Sequence, residues 1–205
     1  MNVHLVASVA GAPVPVDEVD AREALLRHGS RAVRLPASGT SEGRQLRRWL
    51  TQLIVTERVI AAEAAARGLT ARGAPTEAEL LPDTTARLEI GSIAAAVLAD
   101  PCARALFADV TAEVRVADDD VADYHARNPL RFAPPRQGGH GWRAPAVDGP
   151  PLEEVRIAIA DHLLGAARRR AFRTWLDSRR AVLVQLAAGY EHPGDPRQPD
   201  NTHRH

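Results

Sequence analysis

Val3-His4-Leu5-Val6-Ala7-Ser8-Val9-Ala10-Gly11-Ala12-Pro13-Val14-Pro15-Val16 is the stretch on which the fold turns. Branched and small apolar residues gather here around one glycine and one proline. The pattern reads as a strand, a tight turn at Ala10-Gly11-Ala12, and a short return through Val14 and Val16. Near the other end, Ala181-Val182-Leu183-Val184-Gln185-Leu186 reads as a second strand-forming run. Two short β segments thus stand far apart in an otherwise helical chain.

Outward from the hairpin, Asp17 occupies an N-cap position, and Val19, Ala24, Leu25 and Leu26 form a helical stripe to about His28. Gly29 to Glu42 is rich in Gly, Ser, Pro and Thr and reads as a loop. Leu46, Trp49, Leu50, Leu53, Ile54, Glu57, Ile60, Ala61 and Ala64 repeat with helical spacing as far as Arg67-Gly68. Gly68 fits a left-handed cap with Leu69 packing back. Pro75 to Glu79 opens a short helix, Gly91 to Leu98 forms another, and a further turn or two runs through Phe107 and Val110. Val114-Arg115-Val116 reads as extended. The aspartates from Asp118 open a helix that stops before Asn128-Pro129. Leu152 to Asp177 carries a long stripe of Val155, Ile159, Leu163, Ala166, Ala167, Phe172, Trp175 and Leu176. The expected fold is mostly α with a small β element, in one discontinuous domain over 1–188. A polar His/Pro-rich tail follows at 189–205.

Of the 205 residues, 45% are apolar and 25% charged, but only 4% are aromatic, which favours closely packed helices over an aromatic-rich sandwich. All 26 basic residues are arginine and they balance 26 acidic ones. A chain with no net charge has no global field for nucleic acid or an anionic membrane. The run Arg168-Arg169-Arg170 reads as a solvated helix face. The single cysteine, Cys102, has no internal disulfide partner and reads as a small buried hydrophobe in a reducing compartment. With no apolar leader or membrane-length stretch, a cytoplasmic location is expected.

The order of these pieces resembles the SurA/PrsA-type parvulin-associated chaperones. Their opening "VA-x-V-N-G-x-P-I-T-x-x-E-V-D" hairpin is similar to Val6 through Asp20, with Ala10 where the family usually has Asn. Their "L-x-x-L-I-x-x-x-L-x-x-x-E-A-x-x-x-G-L" helix is matched by Leu50 to Leu69. The segment leading to "Y-Y-x-x-N-P-x-R-F" is matched by Val116 to Phe132, including Tyr124, Asn128, Pro129, Arg131 and Phe132. The closing helix is matched by Leu152 to Leu176. The resemblance implies a SurA N-terminal, trigger-factor-C-like helical domain whose final strand pairs with the hairpin. In that family a parvulin prolyl isomerase domain precedes the closing helix. Here only Ala133 to Pro150 stands there, too short for a second core, and no parvulin site pattern is present. Prolyl isomerase activity is therefore not expected.

The resemblance further implies a concave apolar surface for a peptide segment or partner protein, flanked by Trp49, Leu53, Ile93, Val97, Phe107, Tyr124 and Phe132, with Trp142 in the connecting loop. Taken one by one, these side chains read first as core, with a subset of them lining a groove. A homodimer is compatible with the sequence. A second possibility is metal. His192, His203 and His205 crowd the tail, and His140 or His4 could add a fourth imidazole for Zn, Cu, Ni or Fe. No Cys-x-x-Cys or His-Glu-x-x-His spacing fixes such a site. Asp118, Asp119, Asp120, Asp123 and His125 could be read as acid–base groups, but acidic residues in a first helical turn already compensate the dipole. No catalytic residue is assigned and no cofactor is expected beyond such a metal. The leading expectation is a non-enzymatic, chaperone-like binding domain. Its rival is a small metalloprotein or metalloenzyme of specialised metabolism.

Overall fold

The computed structural model describes residues 4–30, 32–133 and 149–191. Strands β1 (Leu5–Val9) and β2 (Ala12–Pro15) form the N-terminal hairpin. Val9 pairs with Ala12, so the loop is two residues long. Both of them, Ala10 at φ 49° and Gly11 at φ 80°, are left-handed. That is the requirement of a type I′ turn, whose twist matches the strands it joins. Gly11 adopts this conformation freely, whereas Ala10 is strained by its Cβ. Asparagine tolerates the left-handed region, so Ala10→Asn is expected to stabilise the protein by about 1 kcal/mol. Urea unfolding of the two proteins side by side measures this difference.

The short strand β3 (Val184–Leu186) adds antiparallel to β1, giving the order β2-β1-β3. Ala7 faces Leu186, Ser8 faces Gln185, and Val9 faces Val184. The Ala10 amide donates to the Leu183 carbonyl (2.8 Å) and the Ala187 amide to the Val6 carbonyl (2.9 Å), extending the closure at both ends. Pro13 and Pro15 stand on the outer strand β2, where missing N–H groups leave the sheet intact and discourage further pairing. The expected closure of the two chain ends is what the structure shows.

Helix α1 (Val16–His28) follows the hairpin without a break. Its N-cap is Pro15, not Asp17, and no side chain caps it. The Val16 amide instead donates to the His4 carbonyl (2.9 Å), so the hairpin itself satisfies a helix-end donor. Asp17 and Glu18 lie in the first turn, where the dipole favours them. Helix α2 (Ser41–Ala66) starts with Thr40 accepting from the Gly43 amide (3.0 Å). It ends at Gly68, left-handed at φ 64°, with the Leu69 amide returning to the Ala64 carbonyl. A single-turn 3-10 helix (Ala32–Arg34) lies in the loop between them. Arg27, one turn along α1, and Arg47 of α2 converge on Glu23, and Arg47, which also reaches Asp20, clamps α1 to α2. Burial pushes the Glu23 carboxyl up, but the hydrogen bonds and charges of the two guanidiniums outweigh it and hold it below its ordinary value.

Four short helices then wrap the body: α3 (Glu77–Leu80), α4 (Thr84–Ile90), α5 (Ser92–Val97) and α6 (Pro101–Val110). A reciprocal capping box between Thr76 and Glu79 starts α3, and Asp83 caps α4 on the Ala86 amide (2.8 Å). Helix α4 has no counterpart in the sequence reading. Val114 to Val116 belongs to no strand, and α7 (Asp118–Arg127) follows.

Helix α8 (Leu152–Leu183) is longer than expected. At 1.5 Å per residue it extends about 48 Å. Ala181 to Leu183 are its last residues, and only Val184 to Leu186 are strand. The main core is built on α2, with Leu50, Ile54, Val55 and Val59 fully buried against the sheet, α4–α6 and the Phe172–Leu176 part of α8. Phe172 stacks toward Phe107 (centroids 4.9 Å apart) and Trp175 (5.6 Å). A second, smaller cluster joins α7 to the start of α8 through Val121, Val155 and Ile159. Residues 189–190, read with the tail, are tied to the body. Tyr190 packs on the main core and its carbonyl accepts from Gln52 Nε2 (2.9 Å).

The arginine run is also placed differently from its reading as a solvated face. Arg169 is 6% exposed and paired with Glu89, its Nε 2.9 Å from Oε2, while Nη1 donates to the Leu80 carbonyl. Its position on the inner side of α8, facing α3 and α4, makes it a link between layers. None of the described helices is long and apolar enough to cross a membrane.

Candidate functional site

A cleft of about 420 Å³ lies between α2, α5 and α6. Its wall is Ile60, Ala61, Ala96, Val97, Ala99 and Ala103. Such a wall follows from the sequence: alanines lie where the three helices approach, so the backbones set the depth and no long side chain fills it. Ala61 and Ala99 are exposed, Ala96 is half-buried, and Ile60, Val97 and Ala103 form the buried floor. The rim is polar. Arg22 donates twice to Glu57, Nη2 to Oε2 at 2.6 Å and Nη1 to Oε1 at 3.2 Å, and Asp100 also lines the cleft. An apolar floor with a charged rim is the composition of a site that takes apolar groups and fixes their orientation at the edge. Its volume falls in the range of about 300–1,000 Å³ usual for ligand sites.

Two other clefts are smaller. One, about 250 Å³, lies between the α4–α5 junction and the C-terminal part of α8. The other, about 100 Å³, is bounded by Glu79, Asp83, Glu89, Arg131, His162 and Arg169. It adjoins an aromatic cluster in which the Tyr124 hydroxyl lies 3.3 Å from His162 Nε2, and Phe132 packs edge-on to both rings.

The residues expected to flank one surface are distributed over several places. Leu53, Ile93, Val97 and Phe107 are buried, and only Val97 among them also lines the large cleft. Trp49 is partly buried at the edge of the main core, its Nε1 donating to Ser92 Oγ (3.2 Å). Tyr124 and Phe132 belong to the second cluster, together with His162. Trp142 and the metal-binding candidates His140, His192, His203 and His205 lie outside the described residues. His4 is exposed. Among the described residues, no group of three or more His, Cys, Asp or Glu is placed to hold a metal ion.

The acidic start of α7 has a structural role. Asp120 accepts from the Ala117 amide (3.3 Å), and His125 Nε2 donates to the Pro150 carbonyl (2.9 Å), tying α7 to the entry of α8. Cys102 is a half-buried free thiol in the first turn of α6, its amide held by Asp100 (3.0 Å). The cleft-lining alanines, with Arg22 and Glu57 at the rim, were not picked out as a site from sequence. Ile60 and Ala61 read as part of an ordinary core stripe, and an alanine gives no sign of whether it faces a neighbour or an opening.

A sequence-family model described as a family of unknown function (DUF7158) matches residues 5–42, which cover the hairpin, α1 and the first residues of α2. No curated protein and no solved structure matches the chain.

Proposed function

We propose that this chain is a non-enzymatic, chaperone-like binding domain that receives an apolar peptide segment in the cleft between α2, α5 and α6. The observation that carries the reading is the alanine-walled opening with its apolar floor, large enough for side chains of an extended partner. Removing such side chains from water is worth about 25 cal/mol per Å², and the Arg22–Glu57 pair offers polar anchoring at the rim. Helices enclosed by an N-terminal hairpin and a C-terminal strand are also what the resemblance to SurA/PrsA-type chaperones implies, without the isomerase module. A lone cysteine and the absence of net charge accord with work in the cytoplasm on a protein partner.

Ala61→Arg tests the reading. Ala61 is an exposed helical position, so the change should alter stability by no more than about 0.5 kcal/mol while placing a charged side chain in the opening. A fluorescein-labelled ten-residue peptide rich in Leu and Val should bind the native protein. It should bind Ala61→Arg about tenfold more weakly or worse. Equal anisotropy titrations for the two proteins would contradict the proposal. So would stoichiometric zinc, copper, nickel or iron in tag-free protein that is lost when His203 and His205 are both replaced by Ala.

A further inference from the structure

The cleft at the α4–α5 junction differs from the alanine-walled one in its charges. Its floor is apolar, made by Ile90, Ile93, Ala94 and Leu176, and its sides carry Ser92, Arg173, Asp177 and Arg180. Many of the arginines that reach across elements meet a carboxylate, as in Arg22–Glu57, Arg67–Asp109, Arg169–Glu89 and Arg179–Glu63. The two arginines of this cleft do not. Arg180 donates to the neutral amide oxygen of Gln52, and Arg173 makes one long bond, 3.4 Å, to the Glu89 carbonyl. Burial pulls the Arg180 guanidinium below its ordinary value, with Asp177 one turn away partly offsetting this. It remains charged at neutral pH, because arginine titrates far above that range. The direct hydrogen bonds of both guanidiniums go to neutral oxygens, and Asp177 offsets the burial of Arg180 only in part, so the arrangement favours an anion that enters the cleft.

Ser92 adds a directed donor. The Trp49 indole N–H can only donate, so the Ser92 hydroxyl must accept from it (3.2 Å). That leaves the Ser92 proton available for a ligand in the cleft it lines. Two guanidiniums against one carboxylate leave a single net positive charge, which matches a monoanion better than a dianion. At about 250 Å³ the space is below the usual range for larger ligands, which restricts the occupant to a few heavy atoms.

We propose that this pocket binds a small monocarboxylate with a short branched aliphatic chain. The carboxylate lies among Arg173, Arg180 and Ser92, and the chain packs on Ile90, Ile93 and Leu176. This site is separate from the α2–α5–α6 cleft and does not depend on the peptide-binding reading.

Calorimetric titration of the full chain with isovalerate, isovaleramide and inorganic phosphate tests it. Isovalerate should bind saturably at one site, its uncharged amide should not, and phosphate should bind more weakly than isovalerate. Arg180→Gln and Arg173→Gln should each weaken isovalerate by about tenfold or more, as expected for loss of a charged hydrogen bond. Arg173 is exposed, so its variant decides the matter even if Arg180→Gln fails to fold. No saturable isovalerate binding, equal binding of the amide, tighter binding of phosphate, or unchanged affinity in Arg173→Gln would each overturn the proposal.

Discussion

Phe172→Ala is expected to destabilise the protein by about 3–5 kcal/mol, a large part of the stability of a typical domain. Phe172 is 0% exposed and is the bulkiest of the fully buried side chains among the described residues. It sits where α8 crosses α6, with the Phe107 ring centred 4.9 Å away and the Trp175 ring 5.6 Å away. Truncation removes the transfer energy of a whole aromatic ring and leaves a cavity between two helices that α2 also packs against. Ile157 on the same helix supplies the control. It is 77% exposed, so Ile157→Ala should change stability by no more than about 0.5 kcal/mol. Urea unfolding followed by circular dichroism distinguishes them. A shift in midpoint with unchanged slope is expected for Phe172→Ala, and little shift for Ile157→Ala.

The second large effect concerns the closure of the chain ends. Hydrogen-bonded and non-hydrogen-bonded pairs alternate along an antiparallel ladder. The Ala10–Leu183 and Val6–Ala187 bonds fix the phase, so Ser8 and Gln185 form the hydrogen-bonded pair between them. On its other side Ser8 faces Pro13, where the two-residue hairpin places a non-bonded pair and a proline does no harm. Gln185→Pro removes the central donor of β3 and should cost about 2–3 kcal/mol. Gln185 is exposed, so Gln185→Thr keeps the amide and should be nearly neutral. Hydrogen exchange at the Ala10 and Ala187 amides is the local readout, and it should accelerate in the proline variant alone.

These two expectations rest on parts of the fold that differ in how well the sequence displays them. The hairpin was legible because strand alternation, Ala10-Gly11 and two prolines point to the same turn. Helix α2 was legible because 3.6-residue spacing persists to a glycine cap at Gly68. Ala181-Val182-Leu183 was misassigned for a physical reason. A short apolar run fits either a strand or a helix, and here the hydrogen-bond ladder of α8 continues through it, leaving Val182 mostly exposed. Helix α4 carries two threonines near its start and spans barely two turns, so local preference gave little sign of it. Arg169 could not be told from its neighbours Arg168 and Arg170 without knowing that α3 and α4 pack against that side of α8. The cleft was the least legible feature. Its shape comes from where Ala61, Ala96, Ala99 and Ala103 meet, which is a property of three helices and of no single segment.

The central claim, that the α2–α5–α6 cleft receives an apolar segment, is tested most directly by methyl NMR of the full chain titrated with the Leu/Val-rich peptide. The methyl groups of Ile60, Ala96 and Val97 should shift progressively to saturation, while those of Val121 and Val155 in the second cluster stay in place. Shifts centred on Val121 and Val155, or no shift at Ile60, Ala96 and Val97 at saturating peptide, would contradict it.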